Sequence, residues 1–152
     1  MTSADHRITG GCQCGAVRFA CDGLGRASIC HCRMCQKAFG GFFGPLVTAK
    51  GLQWTRGAPA HFRSSNKAQR GFCANCGTPL TFEVDGVEAI DVAIGAFDAP
   101  EAIRPVVQMG FEHRISWVED IAALPEIGDA EKQTFADYYA GVVSYQHPDH
   151  DA

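Results

Sequence analysis

The sequence has no long apolar segment and no excess of positive charge. The uncharged stretch from Ala38 to Ala49 contains three glycines and a proline, and it is far shorter than the roughly 20 apolar residues that a membrane-spanning helix requires. The formal net charge is −4, so the chain lacks the basic character typical of proteins that bind a nucleic-acid backbone. These absences predict a soluble protein that has neither a membrane nor nucleic acid as a partner.

The N-terminal residues also lack the apolar core of a secretory signal peptide. No hydrophobic segment occurs between Met1 and the glycine pair at residues 10 and 11, and we therefore expect a cytoplasmic protein. Eight cysteines in 152 residues could in principle form a disulfide framework. Because the cytoplasm is reducing, we expect free thiols that are available to metal ions instead.

Several catalytic signatures are missing as well. The sequence contains no Gly-x-Ser-x-Gly motif, which a serine hydrolase would use. A zinc deaminase needs a proline before its Cys-x-x-Cys pair, but Phe72 precedes Cys73. Residues 23–28 contain only two glycines of a three-glycine dinucleotide-binding loop, and we interpret this segment as a turn.

Seven of the eight cysteines fall into three clusters. The clusters are Cys12-x-Cys14, Cys30-x-Cys32-x-x-Cys35 and Cys73-x-x-Cys76. Their spacings match neither common ferredoxin pattern, so zinc is the expected metal. A structural zinc takes four protein ligands, whereas a catalytic zinc takes three and keeps one position open. Four plus three cysteines therefore predict two zinc sites, one closed and one open.

The first and third clusters have the same local context. Each pair is followed by a glycine, Gly15 or Gly77, and then by a predicted strand. A glycine at this point suits a tight turn whose backbone N–H groups face the thiolate sulfurs. We therefore assign one tetrahedral structural zinc to these two pairs, with Cys12, Cys14, Cys73 and Cys76 as its ligands.

The middle cluster supplies three thiolates within six residues. His31 lies between two of them, and because side chains of adjacent extended residues diverge, a supporting role is favoured over ligation. Cys21 shares a strand face with Val17 and Phe19 and is expected to be a buried apolar residue. The alternative is a purely structural middle site that His31 or Cys21 closes as fourth ligand.

Three thiolates around Zn²⁺ carry a net charge of −1, which makes the metal a weak Lewis acid. Such a site suits thiol chemistry better than the hydrolysis that histidine-bound zinc performs. Arg33 and Lys37 follow closely in the sequence and could hold a substrate carboxylate, or could be solvated surface charges. The aromatic segment 39–43 could line a substrate pocket, form a docking surface or belong to the core.

The hydrophobic pattern predicts a single, mainly β domain over residues 1–152. The segment 16–21 alternates like a half-buried strand, and Asp85-Gly86 predicts a hairpin between Leu80–Val84 and Val87–Ile94. Further short strands are expected near 43–48, 51–56 and 60–64. Asp129 resembles the N-cap of a C-terminal helix, which is followed by a tail that we expect to be frayed.

Three motifs resemble those of a known family. They are Gly10-Gly-Cys-Gln-Cys-Gly-Ala-Val-Arg-Phe19, Cys30-His-Cys-Arg-Met-Cys35 and Phe72-Cys-Ala-Asn-Cys-Gly-Thr-Pro-Leu80. In this order they are similar to the signatures of the glutathione-dependent formaldehyde-activating enzymes, which are grouped with centromere protein V. The resemblance spans about residues 8–120, and the C-terminal helix and tail occupy about 129–152.

The resemblance implies a β-tent zinc fold of small antiparallel sheets. It also implies the same two sites: a structural zinc on Cys12, Cys14, Cys73 and Cys76, and an active-site zinc on Cys30, Cys32 and Cys35. The implied activity is that of a carbon–sulfur lyase in formaldehyde detoxification, which joins glutathione and formaldehyde into S-(hydroxymethyl)glutathione. The cations Arg33, Lys37, Lys67 and Arg70 are candidates for holding the glutathione carboxylates. The alternative is a non-catalytic, zinc-stabilised module that binds a protein.

Overall fold

A computed structural model of the protein describes residues 7–151, which form a mainly β structure. In chain order the strands are β1 (Ile8–Gly11), β2 (Arg18–Cys21), β3 (Gly23–Cys30), β4 (Gly44–Lys50), β5 (Gln53–Arg56), β6 (Ala60–Arg63), β7 (Ala68–Phe72), β8 (Pro79–Val84), β9 (Ile90–Ala93) and β10 (Val107–Met109). The α-helices are α1 (Arg33–Phe39) and α2 (Asp129–Tyr139), and short 3-10 helices lie between β9 and α2. No helix within residues 7–151 is long and apolar enough to cross a membrane.

The strands form two sheets. The first has the order β1-β2-β5, and the second has the order β10-β3-β4-β9-β8-β7-β6. Strand β10 pairs with β3 in parallel, whereas the neighbours β3 and β4, β4 and β9, and β8 and β9 are antiparallel. This arrangement confirms the expected mainly β fold with a short C-terminal helix.

Strand β2 lies in the centre of the first sheet and is buried on both faces. Phe19 and Cys21 face the core as predicted, and the Phe19 ring packs edge-on against Trp54 and Phe97, with centroid distances of 6.0 and 5.1 Å. Arg18, on the opposite face, is also only 3% exposed. The expectation of a half-buried strand is therefore wrong, because the carboxylates of Asp98 and Asp151 pair with Arg18 and cover it on the polar face.

The predicted hairpin is present, with a longer connection than expected. Strands β8 and β9 pair antiparallel with Phe82 opposite Asp91. Gly86 has a φ of 74°, which explains the need for glycine at that point. However, β9 begins only at Ile90, so residues 85–89 form the connection instead of a two-residue turn.

The interpretation of residues 23–28 as a turn is wrong. These residues belong to β3, which pairs with β4 from Gly23 to Cys30. A Cβ atom on Gly25 would lie 3.0 Å from Cβ of Thr48 on β4. Gly25 therefore permits a close approach between two strands. In the sequence, such a glycine cannot be distinguished from one that marks a turn.

The short strands predicted near 43–48, 51–56 and 60–64 are present as β4, β5 and β6. The C-terminal helix is also present, but its N-cap is Gly128, not Asp129, and no side chain caps it. The tail after α2 was expected to be frayed, but the structure shows that it contacts the rest of the protein. The backbone N–H of His147 donates a 2.8 Å hydrogen bond to the carbonyl oxygen of Gln13, and Asp151 forms an ion pair with Arg18.

Candidate metal centres

The two outer cysteine pairs sit in turns of matching construction. The N–H of Cys12 donates to the carbonyl oxygen of Val17 at 2.9 Å, and the N–H of Cys73 donates to that of Thr78 at 3.0 Å. The glycines that follow the pairs have φ values of 79° and 80°, which side chains rarely permit. The local resemblance seen in the sequence therefore reflects one turn used twice.

The structure brings both pairs together into one group, which we call the first cluster (Cys12, Cys14, Cys73 and Cys76). Their sulfur atoms all lie within 4.8 Å of one another. The Sγ atom of Cys14 is 3.6 Å from that of Cys12 and 3.9 Å from that of Cys73. A tetrahedron with zinc–sulfur bonds of 2.3 Å has sulfur–sulfur edges of about 3.8 Å. The first cluster therefore fits a tetrahedral metal ion.

Polar groups of the turns support the sulfurs of the first cluster. The amide Nδ2 of Asn75 donates to Sγ of Cys14 at 3.2 Å, and this bond lowers the pKa of Cys14. Burial would raise the pKa of Cys76, but hydrogen bonds from Thr78 and other donors lower it to about 6. Burial dominates at Cys12 and raises its pKa to about 11. Two of the four thiols are thus prepared for deprotonation.

The second cluster consists of Cys30, Cys32 and Cys35. Cys30 ends β3, Cys32 directly precedes α1, and Cys35 lies on the first turn of α1. The three sulfurs are within 4.8 Å of one another, and among residues 7–151 no further cysteine, histidine or carboxylate joins the group. This cluster can offer three ligands to a metal ion.

Burial dominates the acidity of two thiols in the second cluster. It raises the pKa of Cys30 to about 12 and also raises that of Cys35, where hydrogen bonding from Arg70 acts in the opposite direction. Burial would raise the pKa of Cys32 too, but the N–H of Cys35, 3.4 Å from Sγ of Cys32, and other donors lower it. Cys32 is therefore the most readily deprotonated thiol of this cluster.

Neither residue considered as a fourth ligand lies in the second cluster. His31 is only 1% exposed, and its Nε2 lies 2.7 Å from Oε1 of Gln108. Its ring makes edge-on contacts with the rings of Phe43 and Phe111, with centroid distances of 5.9 and 6.1 Å. Cys21 is completely buried in the hydrophobic core. The expected core position of Cys21 is confirmed, and His31 lies outside the cluster, whereas its supporting role stays a prediction.

A cavity of about 440 Å³ lies close to the second cluster: none of the three cysteines lines it, but Arg70, which donates to Sγ of Cys35, does. Arg33 and Lys37 of α1, Ser64 and Arg70 are among its lining residues, together with the apolar side chains of Met34 and Phe62. No carboxylate of residues 7–151 lines it. The structure thus brings three of the four cations considered from the sequence to one cavity, whereas Lys67 does not line it.

The aromatic segment 39–43 has several roles instead of one. Phe39 packs against the core and lines a smaller cavity of about 170 Å³. Phe42 is exposed and packs edge-on against Trp117 at 4.7 Å between centroids. Phe43 contacts His31, as described above. The segment therefore does not line the larger cavity beside the second cluster.

Residues 110–113 pack against the second cluster, which the sequence did not indicate. Gly110 has a φ of 65°, and a Cβ atom there would lie 2.9 Å from the backbone nitrogen of Cys32. The side chain of Gln36 on α1 donates to the carbonyl oxygens of His31 and His113 at 2.8 and 3.1 Å. Gly110 was the only sign of this contact in the sequence, but Cys32, which it approaches, is 78 positions away.

The fold and the two clusters define a mainly β protein with two candidate metal centres. Residues 7–113 match the sequence model of the glutathione-dependent formaldehyde-activating enzymes, and the chain belongs to this family. A crystal structure of a Rhodobacter sphaeroides protein has a similar fold, with a TM-score of 0.53 and 21% sequence identity. The match covers 67% of the present chain and 100% of the other. No curated protein matches the sequence significantly.

Proposed function

We propose that the protein is a zinc-dependent carbon–sulfur lyase that forms and breaks thiol–aldehyde adducts, in the manner of an S-(hydroxymethyl)glutathione synthase. The observation that carries this proposal is the second cluster: three cysteines without a fourth ligand among the described residues, beside a cavity rich in cations. Membership of the family supports glutathione and formaldehyde as the first substrates to test.

In this proposal zinc occupies both clusters with different roles. Cys12, Cys14, Cys73 and Cys76 hold a structural zinc, since four ligands close its coordination. Cys30, Cys32 and Cys35 hold the catalytic zinc and leave one position for substrate. When bound there, zinc supplies a positive centre at which an incoming thiol loses its proton more readily and becomes a nucleophile.

The chain itself binds and orients the substrates. Arg33 and Lys37 offer charged donors to the carboxylates of a thiol such as glutathione, and Met34 and Phe62 cover the apolar part of the cavity. In the forward reaction a carbon–sulfur bond forms, the aldehyde C=O becomes a hydroxyl, and the thiol proton ends on that oxygen. The reverse reaction releases both substrates, so the enzyme accelerates an equilibrium in either direction.

Exchange NMR of glutathione with formaldehyde tests this function. We expect the zinc-loaded protein to accelerate adduct formation and breakdown, and the Cys32→Ser variant to lose this acceleration while remaining folded. Cys21→Ala is the matched control, because it removes a thiol that lies outside both clusters, and it should stay active. Full acceleration by folded Cys32→Ser would contradict the proposal.

A second candidate function is a zinc-stabilised module that binds another protein. It is favoured by exposed aromatic residues of the C-terminal part, namely Trp117, Phe135, Tyr138, Tyr139 and Tyr145, because exposed apolar side chains in numbers can mark interaction surfaces. Small thiols distinguish the two functions. A thiol that changes the spectrum of Co²⁺ in the second cluster supports the enzyme, whereas an inert metal supports the binding module.

A further inference from the structure

Arg70 is a buried arginine whose partner is a sulfur atom instead of a carboxylate. It is 8% exposed, and its Nη2 donates to Sγ of Cys35 at 3.3 Å. Its Nε has no hydrogen-bond partner, and no ion pair joins it to a carboxylate within residues 7–151. A buried charge is costly unless it is compensated, so the second cluster is the available source of negative charge.

The position of Arg70 follows from its strand. On β7 it lies between Phe62 of β6 and Phe82 of β8, and its guanidinium stacks over the Phe82 ring at 4.8 Å from the centroid. This stacking holds the planar group in place beside α1. The stacking therefore orients the guanidinium toward Cys35.

We propose that Arg70 is a positioning residue of the second metal centre, where it neutralises the excess charge of the three thiolates and fixes the Cys35 sulfur. This inference rests on the proposed function only in assigning a divalent metal to that cluster. Three thiolates and one divalent ion carry a charge of −1, and one guanidinium brings the assembly to zero. Arg70 also lines the cavity, so the neutral assembly would repel an anionic thiol less than the bare cluster would.

Metal binding and spectroscopy of three variants test the role of Arg70. Arg70→Met removes both charge and donor, and Arg70→Lys keeps the charge without the planar fork. Arg33→Met is the matched control, because Arg33 lines the same cavity and donates to Gln36 rather than to a thiolate. Zinc affinity is measured by competition with a chelator, and Co²⁺ in the second cluster reports the energy of its thiolate-to-metal charge-transfer band.

We expect Arg70→Met to bind the more weakly held zinc about 10–100-fold less tightly, as substitutions next to metal ligands commonly do. The charge-transfer band of its Co²⁺ form should shift, because the sulfur loses a charged hydrogen bond. Arg70→Lys should restore part of the affinity, and Arg33→Met should change neither measurement. If Arg70→Met does not fold, the band and affinity of Arg70→Lys decide, and wild-type values for both would overturn the proposal.

Unchanged affinity and an unchanged band in folded Arg70→Met would overturn it directly. An equal loss of zinc affinity in Arg33→Met would also overturn the proposal, because any positive charge in the cavity would then have the same effect as Arg70. These measurements require no turnover. If zinc affinity depends on Arg70 as expected but the wild-type protein does not accelerate adduct exchange, the proposed function is refuted and the role of Arg70 is retained.

Discussion

Two buried arginines show how single residues balance charge in this protein. Nη1 and Nη2 of Arg18 donate to the two carboxylate oxygens of Asp98 at 2.8 and 2.6 Å, and Asp151 of the tail is a further partner. Arg70 has a thiol as its partner instead. Arg18 therefore serves the fold, because it connects β2 to distant parts of the chain, whereas Arg70 belongs to a candidate metal centre.

The Asp98 carboxylate is expected to contribute strongly to stability. Asp98→Asn leaves the buried Arg18 with reduced compensation, and we expect a loss of about 3 kcal/mol in the free energy of unfolding. Urea denaturation measures it. Asp85→Asn is the control, because the Asp85–Arg63 pair is half exposed and should matter little. Equal losses in both variants would show that the Arg18 network is not special.

This network also predicts an acid dependence of stability. Burial would raise the pKa of Asp98, but hydrogen bonds from Arg18 and Thr9 lower it below its ordinary value. A carboxyl with a depressed pKa stabilises the fold above its unfolded pKa, near 3.9, and that contribution disappears as the pH falls through the lower folded value. The stability difference between wild type and Asp98→Asn should therefore narrow below about pH 4.

The two cysteine clusters could be predicted from the sequence, but the residues around them could not. The spacing of cysteines within each motif can be seen directly in the sequence, and such close spacing is typical of metal sites, so both clusters were predictable. Arg70 was recognised only as one cation among four. Its role depends on the register of β7 against β6 and β8 and on the position of α1, which are contacts between residues far apart in the sequence.

At the scale of elements, the elements with strong turn or periodicity signals were predictable. The hairpin of β8 and β9, the short strands β4 to β6 and helix α2 all carry such signals. Strand β3 was missed because its glycines serve a close approach to β4. Helix α1 was missed because a helix of seven residues is too short to show periodicity among closely spaced cysteines.

The loop that contains Gly110 offers a test of how elements position the second cluster. In Gly110→Ala the new Cβ would meet the backbone nitrogen of Cys32 at 2.9 Å, so Cys32 must move. We expect this variant to lose the zinc ion of the second cluster and to keep that of the first cluster, so that native mass spectrometry counts one zinc ion. Gly86→Ala is the matched control, since Gly86 also has a positive φ but no atom within 4 Å of the new Cβ.

The control isolates the cost of the backbone conformation, which is roughly 1–2 kcal/mol. Gly86→Ala should therefore lose some stability and keep both zinc ions. Retention of two zinc ions by Gly110→Ala would show that the approach of this loop to Cys32 is not needed for the second centre.

At the scale of the whole molecule, the two clusters differ in what they connect. The first cluster joins the turn between β1 and β2 of one sheet to the turn between β7 and β8 of the other. The second cluster lies within six residues at the junction of β3 and α1. A metal ion in the first cluster would therefore connect the two sheets, and we expect its binding to be coupled to folding. A metal ion in the second cluster would constrain only local structure.

The most direct test of this division is a chelator titration in which native mass spectrometry counts the zinc ions while adduct exchange and circular dichroism are followed in the same sample. The second cluster has three ligands instead of four, so its zinc should leave first. We predict that loss of zinc from the second cluster abolishes the acceleration of adduct exchange but preserves the fold, and that loss of zinc from the first cluster coincides with unfolding. Acceleration that persists until the last zinc ion has left, or unfolding when only one of the two ions has left, would contradict the account.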